Sequence, residues 1–287
     1  MPVGVRAQAL KPQADDHKPA WRAGPVASAM PQSPAQAHRV LSLTDLHDGV
    51  LLRRYKRFLA DVQLETGEVV TAHCANTGPM AGVLQVGGRV RLRHAPSPTR
   101  KLAWTWEQAE VTGSDGLPVW VGINTALPNR LVRATIEAGC LEPWLGPVAK
   151  IRAEVAYGAN RRSRIDLLLS PADEAADPRP IYLEVKNTTW TDGDLALFPD
   201  TVTERGQKHL EELMGVLPEA RAVLVPCLSR SDVMRFAPGD RADPRYGELF
   251  RQGLAAGIEV LPCRYGFSAS GIDWLGLASV VPRQALP

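Results

Sequence analysis

The sequence predicts a mixed α/β domain preceded by a small all-β barrel, and three observations carry that expectation. Between Leu51 and Thr125, short apolar runs alternate with charged residues, and no long helical pattern intervenes. From Thr125 onward, amphipathic helical stretches and buried strand-like runs follow one another in the order αβββαβαβ. At the centre of that order, S-R-I-D-L-L-L-S and I-Y-L-E-V-K (Ser163 to Lys186) flank a polar break holding Pro171, Pro178 and Pro180, which reads as a β-hairpin.

A chain of 287 residues suggests two domains, or one plus extensions, with 45% hydrophobic and 22% charged residues, as in ordinary globular proteins. Residues 1–44 are rich in Pro, Ala, Gln and Ser and read as a disordered extension. Residues 45–122 are assigned to the barrel and 123–287 to the α/β domain. No apolar run approaches the ~18–20 residues of a membrane span, and the N-terminus lacks an apolar signal core. Cys74, Cys140, Cys227 and Cys263 are far apart, without paired metal-ligand spacing, so reduced thiols in the cytoplasm are expected.

In the barrel, L-L-R-R-Y-K-R-F-L-A-D-V-Q-L reads as one strand-like run that Glu65-Thr66-Gly67-Glu68 turns into V-V-T-A-H-C. Gly87-Gly88 opens R-V-R-L-R-H, where alternation puts Arg89, Arg91 and Arg93 on one face and Val90 and Leu92 on the other. W-T-W-E-Q-A-E-V and V-W-V-G-I-N-T complete five short strands, the content of an oligonucleotide-binding (OB) barrel. Residues 51–104 hold nine Lys or Arg against three acids, a balance of +6, whereas residues 151–287 hold sixteen against nineteen, a balance of −3. Arg53, Arg54, Lys56, Arg57, Arg89, Arg91 and Arg93, interleaved with Tyr55, Phe58, Trp104 and Trp106, are the expected contacts to nucleic acid. A solvated basic face is the plainer alternative. Asn76-Thr77-Gly78 reads as a turn whose backbone can hold a phosphate.

The α/β domain opens with a helix starting near Pro128 and ending at Gly139, with Leu127, Leu131, Ala134 and Ala138 along one side. A strand, I-R-A-E-V-A-Y, and the central hairpin follow. Alternation aims Ile181, Leu183 and Val185 one way and Tyr182, Glu184 and Lys186 the other, while pairing brings Asp166 beside Glu184 at the sheet edge. Two carboxylates and a lysine make a poor core and a good site for Mg²⁺ or Mn²⁺, whose hard-oxygen preference they match. Asp166 and Glu184 are the expected metal ligands, and Lys186 the group that orients water or stabilises phosphoryl charge. Glu154, on the neighbouring strand, is a candidate third acid. A second helix, capped at Thr201 or Thr203, carries Arg205, Lys208 and His209 toward flanking phosphates, although His209 reads equally well as a satisfied helix residue. The competing structural reading pairs Glu184 with Lys186 and Asp166 with Arg164 as ordinary ion pairs. A buried strand (A-V-L-V-P-C-L), a helix from Pro244 to Ala256 and a last strand (I-E-V-L-P-C) complete the chain.

Asp166 followed by Glu184-Val185-Lys186, within this element order, resembles the PD-(D/E)XK nuclease superfamily. The segments R-R-Y-K-R-F-L-A-D-V, H-C-A-N-T-G-P-M, N-R-L, E-V-A-Y-G, S-R-I-D, Y-L-E-V-K-N and F-P-D-T-V-T-E-R-G-Q-K-H-L-E-E-L together resemble the sugar fermentation stimulation protein (SfsA) family. That resemblance implies an N-terminal OB-like domain, a C-terminal nuclease-like domain, DNA binding and a regulatory role in maltose utilisation. The superfamily implies a divalent metal on Asp166 and Glu184 and a catalytic role for Lys186. The chain departs from the pattern in its 44-residue extension and in placing Ile165, not proline, before Asp166.

Three function classes follow. The first is a metal-dependent nuclease acting on DNA or RNA and guided by the barrel. The second is a non-catalytic DNA-binding regulator that keeps the nuclease-like fold. The third is a sugar- or nucleotide-binding protein. No helix-turn-helix signal accompanies the basic strands, so binding that is largely independent of sequence is expected. The nucleoid-containing cytoplasm is its expected location.

Overall fold

A computed structural model describes residues 37–158 and 163–282. The expected disorder of residues 1–36 lies outside the described residues. The first strand, β1 (His38–Ser42), falls inside the stretch assigned to the extension. The barrel follows with β2 (Leu46–Tyr55), β3 (Leu59–Leu64), β4 (Val69–His73), β5 (Arg89–His94), β6 (Trp104–Thr112) and β7 (Pro118–Gly122). What read as one strand from Leu51 to Leu64 is a hairpin: Tyr55 pairs with Leu59, and Lys56 and Arg57 turn the chain at φ of 49° and 66°. No glycine, asparagine or proline marks that turn, so the sequence pattern runs straight through it.

Antiparallel pairings β4–β3–β2–β5–β6 are closed by a parallel β4–β6 contact, the OB arrangement, with β7 added beside β6. Its interior is built from the inward residues of each strand, including Leu51, Val62, Val90, Leu92 and Trp106.

The α/β domain begins with α1 (Pro128–Glu137) and α2 (Glu142–Leu145), then β8 (Val148–Tyr157), β9 (Ser163–Pro171) and β10 (Ile181–Thr188). After β11 (Trp190–Asp192) and β12 (Leu195–Phe198) come α3 (Glu204–Met214), β13 (Arg221–Leu228), β14 (Arg235–Pro238) and α4 (Pro244–Ala256). The region read as one last strand and a tail supplies β15 (Glu259–Val260), β16 (Cys263–Phe267), β17 (Gly271–Leu277) and β18 (Ser279–Val280). The main sheet runs β1-β17-β16-β13-β10-β9-β8, with β15 beside β13, and a small sheet, β11-β12-β14-β18, flanks it.

Alternation along β10 divides the two cores. Ile181, Leu183 and Val185 join Leu131, Val132 and Leu145 of α1 and α2, whereas Tyr182 faces the layer of Leu210 and Leu213 from α3 and Tyr246 and Phe250 from α4. The sheet is therefore the middle of three layers.

The barrel is docked on this domain. Gly122 N donates to Ser229 O at 2.8 Å and Gln108 Nε2 to Ser268 O at 2.9 Å. The Phe267 ring packs so close to Gly122 that a Cβ there would sit 2.2 Å from it.

Edge strand β1 pairs antiparallel with β17, Arg39 meets Asp273 at 2.5 Å, and Val40 and Leu41 pack partly buried on the core. Removing it uncovers aliphatic surface on the order of 2 kcal/mol. A chain starting at Leu43 is therefore expected to melt roughly 4–8 °C below one starting at Ala37. Equal midpoints by circular dichroism would show that β1 adds nothing.

Candidate active site

Strands β9 and β10 pair from Ile181↔Leu169 to Leu183↔Leu167. One step further, where Asp166 comes opposite Glu184, the ladder gives way to a side chain. Asp166 Oδ2 accepts the Val185 N–H at 2.7 Å, and Oδ1 accepts from Asn129 Nδ2 at 2.8 Å. Asn129 is the second residue of α1, placed there because Pro128 starts that helix. Two donors thus fix the carboxylate's orientation.

Glu184 and Lys186 are 2% and 9% exposed. They do not stand at the sheet edge, as the sequence suggested, because α3 returns the chain to lay β13 parallel to β10 and cover that side. Lys186 Nζ donates to Glu184 Oε1 at 2.7 Å, and His209 Nδ1 of α3 hydrogen-bonds the same oxygen. Arg205 Nε donates to His209 Nε2 at 3.4 Å. A guanidinium cannot accept, so the network assigns the imidazole hydrogen to Nδ1, donating to Glu184. The Glu184–Lys186 pair of the structural reading exists, but buried; Arg164 instead donates to the Glu154 carbonyl at 2.9 Å.

Several buried polar atoms here have no hydrogen-bond partner among the described residues: Glu184 Oε2, Tyr157 Oη, Glu212 Oε2 and Tyr246 Oη. Ser163 Oγ donates to Glu212 Oε1 at 2.6 Å. Burial, then the nearby charges of Glu184, Glu212 and Asp166, push the Tyr157 phenol up. Burial and the Glu184 charge also push the Asp166 carboxyl up. For Glu184 burial acts in the same direction, but the His209 hydrogen bond and the Lys186 charge outweigh it and hold the carboxyl below its usual range.

The hard-oxygen donors fit a divalent cation. Glu184 Oε2 is an orphaned buried acceptor opposite a second carboxylate, and a magnesium-like ion needs only one or two carboxylates beside its waters. Among the described residues, no group of three or more His, Cys, Asp or Glu side chains converges as a ready-made cage. Glu154 stands apart: it is exposed, at φ 53°, and its side chain makes no hydrogen bond in the described structure. Asn129, Tyr157, Glu212 and Tyr246 were not singled out from the sequence. The first three lie inside N-R-L, E-V-A-Y-G and H-L-E-E-L, where a polar residue among apolar ones was the available signal.

The expected nucleic-acid contacts divide. Arg89 pairs with Glu110 at 2.9 Å, Arg91 with Asp48 at 2.8 Å and Arg93 with Glu107 at 2.8 Å, while Arg91 also lies 3.6 Å over the Trp120 ring. The β5 arginines are thus neutralised by β2 and β6 and do not form a free basic face. The +6 balance came from a window that omitted those acids. Over residues 45–122 the count is nine basic against eight acidic, or +1.

Arg53 pairs with Asp61 at 2.7 Å, and Arg54 donates to the carbonyls of Arg57, Asn76 and Gly78. Arg57 donates to Thr77 O at 3.0 Å, and Lys208 lies 3.5 Å from Glu212. Lys56 has no ion-pair or hydrogen-bonding partner for its side chain in the described structure, and Arg205 is exposed. The turn at Asn76–Gly78 is real, closed by Asn76 Oδ1 accepting from Gly78 N at 2.9 Å.

Fold and site define a two-domain protein, an OB barrel fixed to a mixed α/β domain with a buried acid–lysine–histidine cluster. The family model described as the SfsA N-terminal OB domain matches residues 52–123, and that of the sugar fermentation stimulation protein RE domain matches residues 126–271. A sugar fermentation stimulation protein homolog from Parasynechococcus marenigrum (strain WH8102) is 77% identical over 238 residues, 83% of this chain and 94% of that protein. One from Synechococcus sp. (strain CC9605) is 74% identical over 244 residues, 85% and 95%. The structure of Pyrococcus furiosus SfsA in complex with Ca²⁺ superposes with a TM-score of 0.73 at 25% identity, covering 85% of this chain and 100% of that one. This chain belongs to the sugar fermentation stimulation protein (SfsA) family.

Proposed function

We propose that this protein binds DNA largely without regard to sequence and hydrolyses phosphodiesters at a divalent-cation centre formed by Asp166, Glu184 and Lys186. The observation that carries the reading is Glu184 Oε2, a buried carboxylate oxygen with no hydrogen-bond donor among the described residues, at the strand position across from Asp166, whose ionisation burial opposes. A buried acceptor left without a partner costs free energy, and a cation removes that cost. The Ca²⁺ complex of the Pyrococcus furiosus relative supports a cation of this class.

Asp166 and Glu184 would hold Mg²⁺ or Mn²⁺, which supplies a Lewis acid for the charge building on the phosphoryl oxygens. Lys186 keeps a positive charge beside Glu184, and His209 fixes that carboxylate's rotamer. Asn129 and the Val185 amide orient Asp166.

The relatives' name supports a link to sugar fermentation, for which we propose regulation of maltose use. No helix among the described residues is long and apolar enough to cross a membrane, and we place the protein in the cytoplasm. A second reading, a non-catalytic DNA-binding regulator, is favoured by the closed Glu184–Lys186–His209 set, whose charges neutralise one another.

Thermal melts in EDTA and in Mg²⁺ or Mn²⁺, beside cleavage assays on DNA and RNA, separate the two readings. At a cation concentration about 100 times Kd, stabilisation is about 2.7 kcal/mol, or roughly 5–11 °C. Asp166→Asn is expected to lose most of this shift; in EDTA its midpoint should stay near wild type, because relief of the repulsion with Glu184 is offset by an amide NH2 facing one of the two donors that Asp166 accepts from. A wild type that neither cleaves nor responds to either cation leaves the regulator reading alone.

A further inference from the structure

Resting on the nucleic-acid-binding reading above, we infer that the β2–β3 turn is a strained finger that takes a phosphate on Lys56 and stacks an unpaired base on Phe58. The turn joins paired residues Tyr55 and Leu59 through three residues, the first two in the left-handed region at φ 49° and 66°. Consecutive left-handed positions ordinarily go to Gly, Asn or Asp, since a Cβ there is strained. Here two cations occupy them, and Phe58, 45% exposed as a residue, completes the tip.

The strain is held from below. Arg54 grips the Arg57 carbonyl at 2.7 Å and two carbonyls of the Asn76–Gly78 turn, Arg57 grips Thr77 O, and Cys74 N donates to Phe58 O at 2.8 Å. A backbone held against its own preference, presenting an unpaired ammonium and a half-exposed aromatic residue, is costly unless those groups are used. Other barrel arginines are engaged: the three of β5 and Arg53 are paired with acids, and Arg54 is buttressing. Oligonucleotides commonly meet OB barrels at this loop. The strain and the Lys–Phe pairing are what this chain adds.

The partner they fit is a single-stranded stretch, because Phe58 needs a free base face and a duplex keeps its base faces stacked inside. The turn that supports the finger also touches the α/β domain. It is followed by Ala81, whose amide faces the Asp200 carboxyl, and is preceded by Ala75, whose carbonyl accepts from Thr125 Oγ1 at 3.0 Å. Four residues beyond Thr125, Asn129 holds Asp166.

The test measures melting temperature and affinity for a labelled mixed-sequence single strand and its matching duplex, across a salt series, on the full chain. Lys56→Asn, whose new residue tolerates the left-handed region, is expected to melt roughly 2–5 °C higher. The same variant should bind more weakly, with the log–log salt slope reduced by about 0.7. Phe58→Ala is expected to keep the wild-type midpoint and lose about 5- to 100-fold in single-strand affinity, with duplex affinity little changed. A wild type that binds while both variants bind equally well overturns the finger and spares the DNA-binding reading. So does a lower midpoint for Lys56→Asn, which would show that the turn is not strained. No binding by the wild type to either probe overturns both.

Discussion

Lys186→Met is expected to melt about 6–20 °C below wild type in EDTA, because removing one partner of a buried pair strands the other at a cost of about 3–5 kcal/mol. Glu184 would keep only the His209 hydrogen bond in a site where its carboxylate is almost fully enclosed. In Mn²⁺ the gap should narrow, since the cation supplies the positive charge that the lysine gave. On the proposed hydrolytic reading, cleavage should still fall by about 10²–10³, the usual cost of one positioned charge at the reacting phosphoryl group. Equal midpoints in EDTA would mean that the ammonium does not compensate Glu184, and an unchanged cleavage rate would remove Lys186 from the chemistry.

The second large effect lies outside the centre, at Asp243. Its Oδ1 caps α4 by accepting from Tyr246 N at 3.0 Å, and Oδ2 accepts from Thr203 N at 2.9 Å, at the residue that caps α3. Gln207 of α3 donates to both oxygens at 3.0 Å. One carboxylate therefore ties together the starts of two helices, one of which carries His209. Asp243→Ala loses a cap and leaves buried donors unpaired, on the order of 3 kcal/mol, or roughly 6–12 °C.

Burial opposes the charge on Asp243, but the donors from Thr203, Tyr246 and Gln207 outweigh it and hold the carboxyl below its usual range. The folded state then binds fewer protons than the unfolded chain between the lowered value and the unfolded one near ~3.9, so stability rises with pH through that window. The advantage of wild type over Asp243→Asn should be full above about pH 5 and shrink as the pH falls below about 4. A gap independent of pH across that range would remove the charge from the account.

Much of this was legible in the sequence where a local rule decides it. Pro128 and Gly139 bracket α1, Asp243-Pro244 and Gly257 bracket α4, and alternation along β10 put Glu184 and Lys186 on one face. Legibility ended where distant segments decide. β1 has no periodicity long enough to notice, and its partner is β17 at the far end of the chain. The Lys56–Arg57 turn carries none of the residues that mark turns, so it read as strand. The β5 arginines looked free because Asp48, Glu107 and Glu110 reach them only through barrel register. Tyr157, Glu212 and Tyr246 converge from β8, α3 and α4, and no spacing within any one segment announces that.

The pairing of β1 with β17 makes the barrel an insertion within the other domain, and this has a consequence during synthesis. Arg39 leaves the ribosome 234 residues before Asp273, its partner. At ordinary elongation rates of about 5–20 residues per second, the strand waits roughly 10–50 s with its edge groups exposed. In that interval the barrel can close on itself, while the large sheet lacks its last two long strands. A nascent chain halted before Cys263 should therefore hold a finished barrel beside an open-edged sheet, the form most prone to capture by chaperones or to pairing with a second nascent copy.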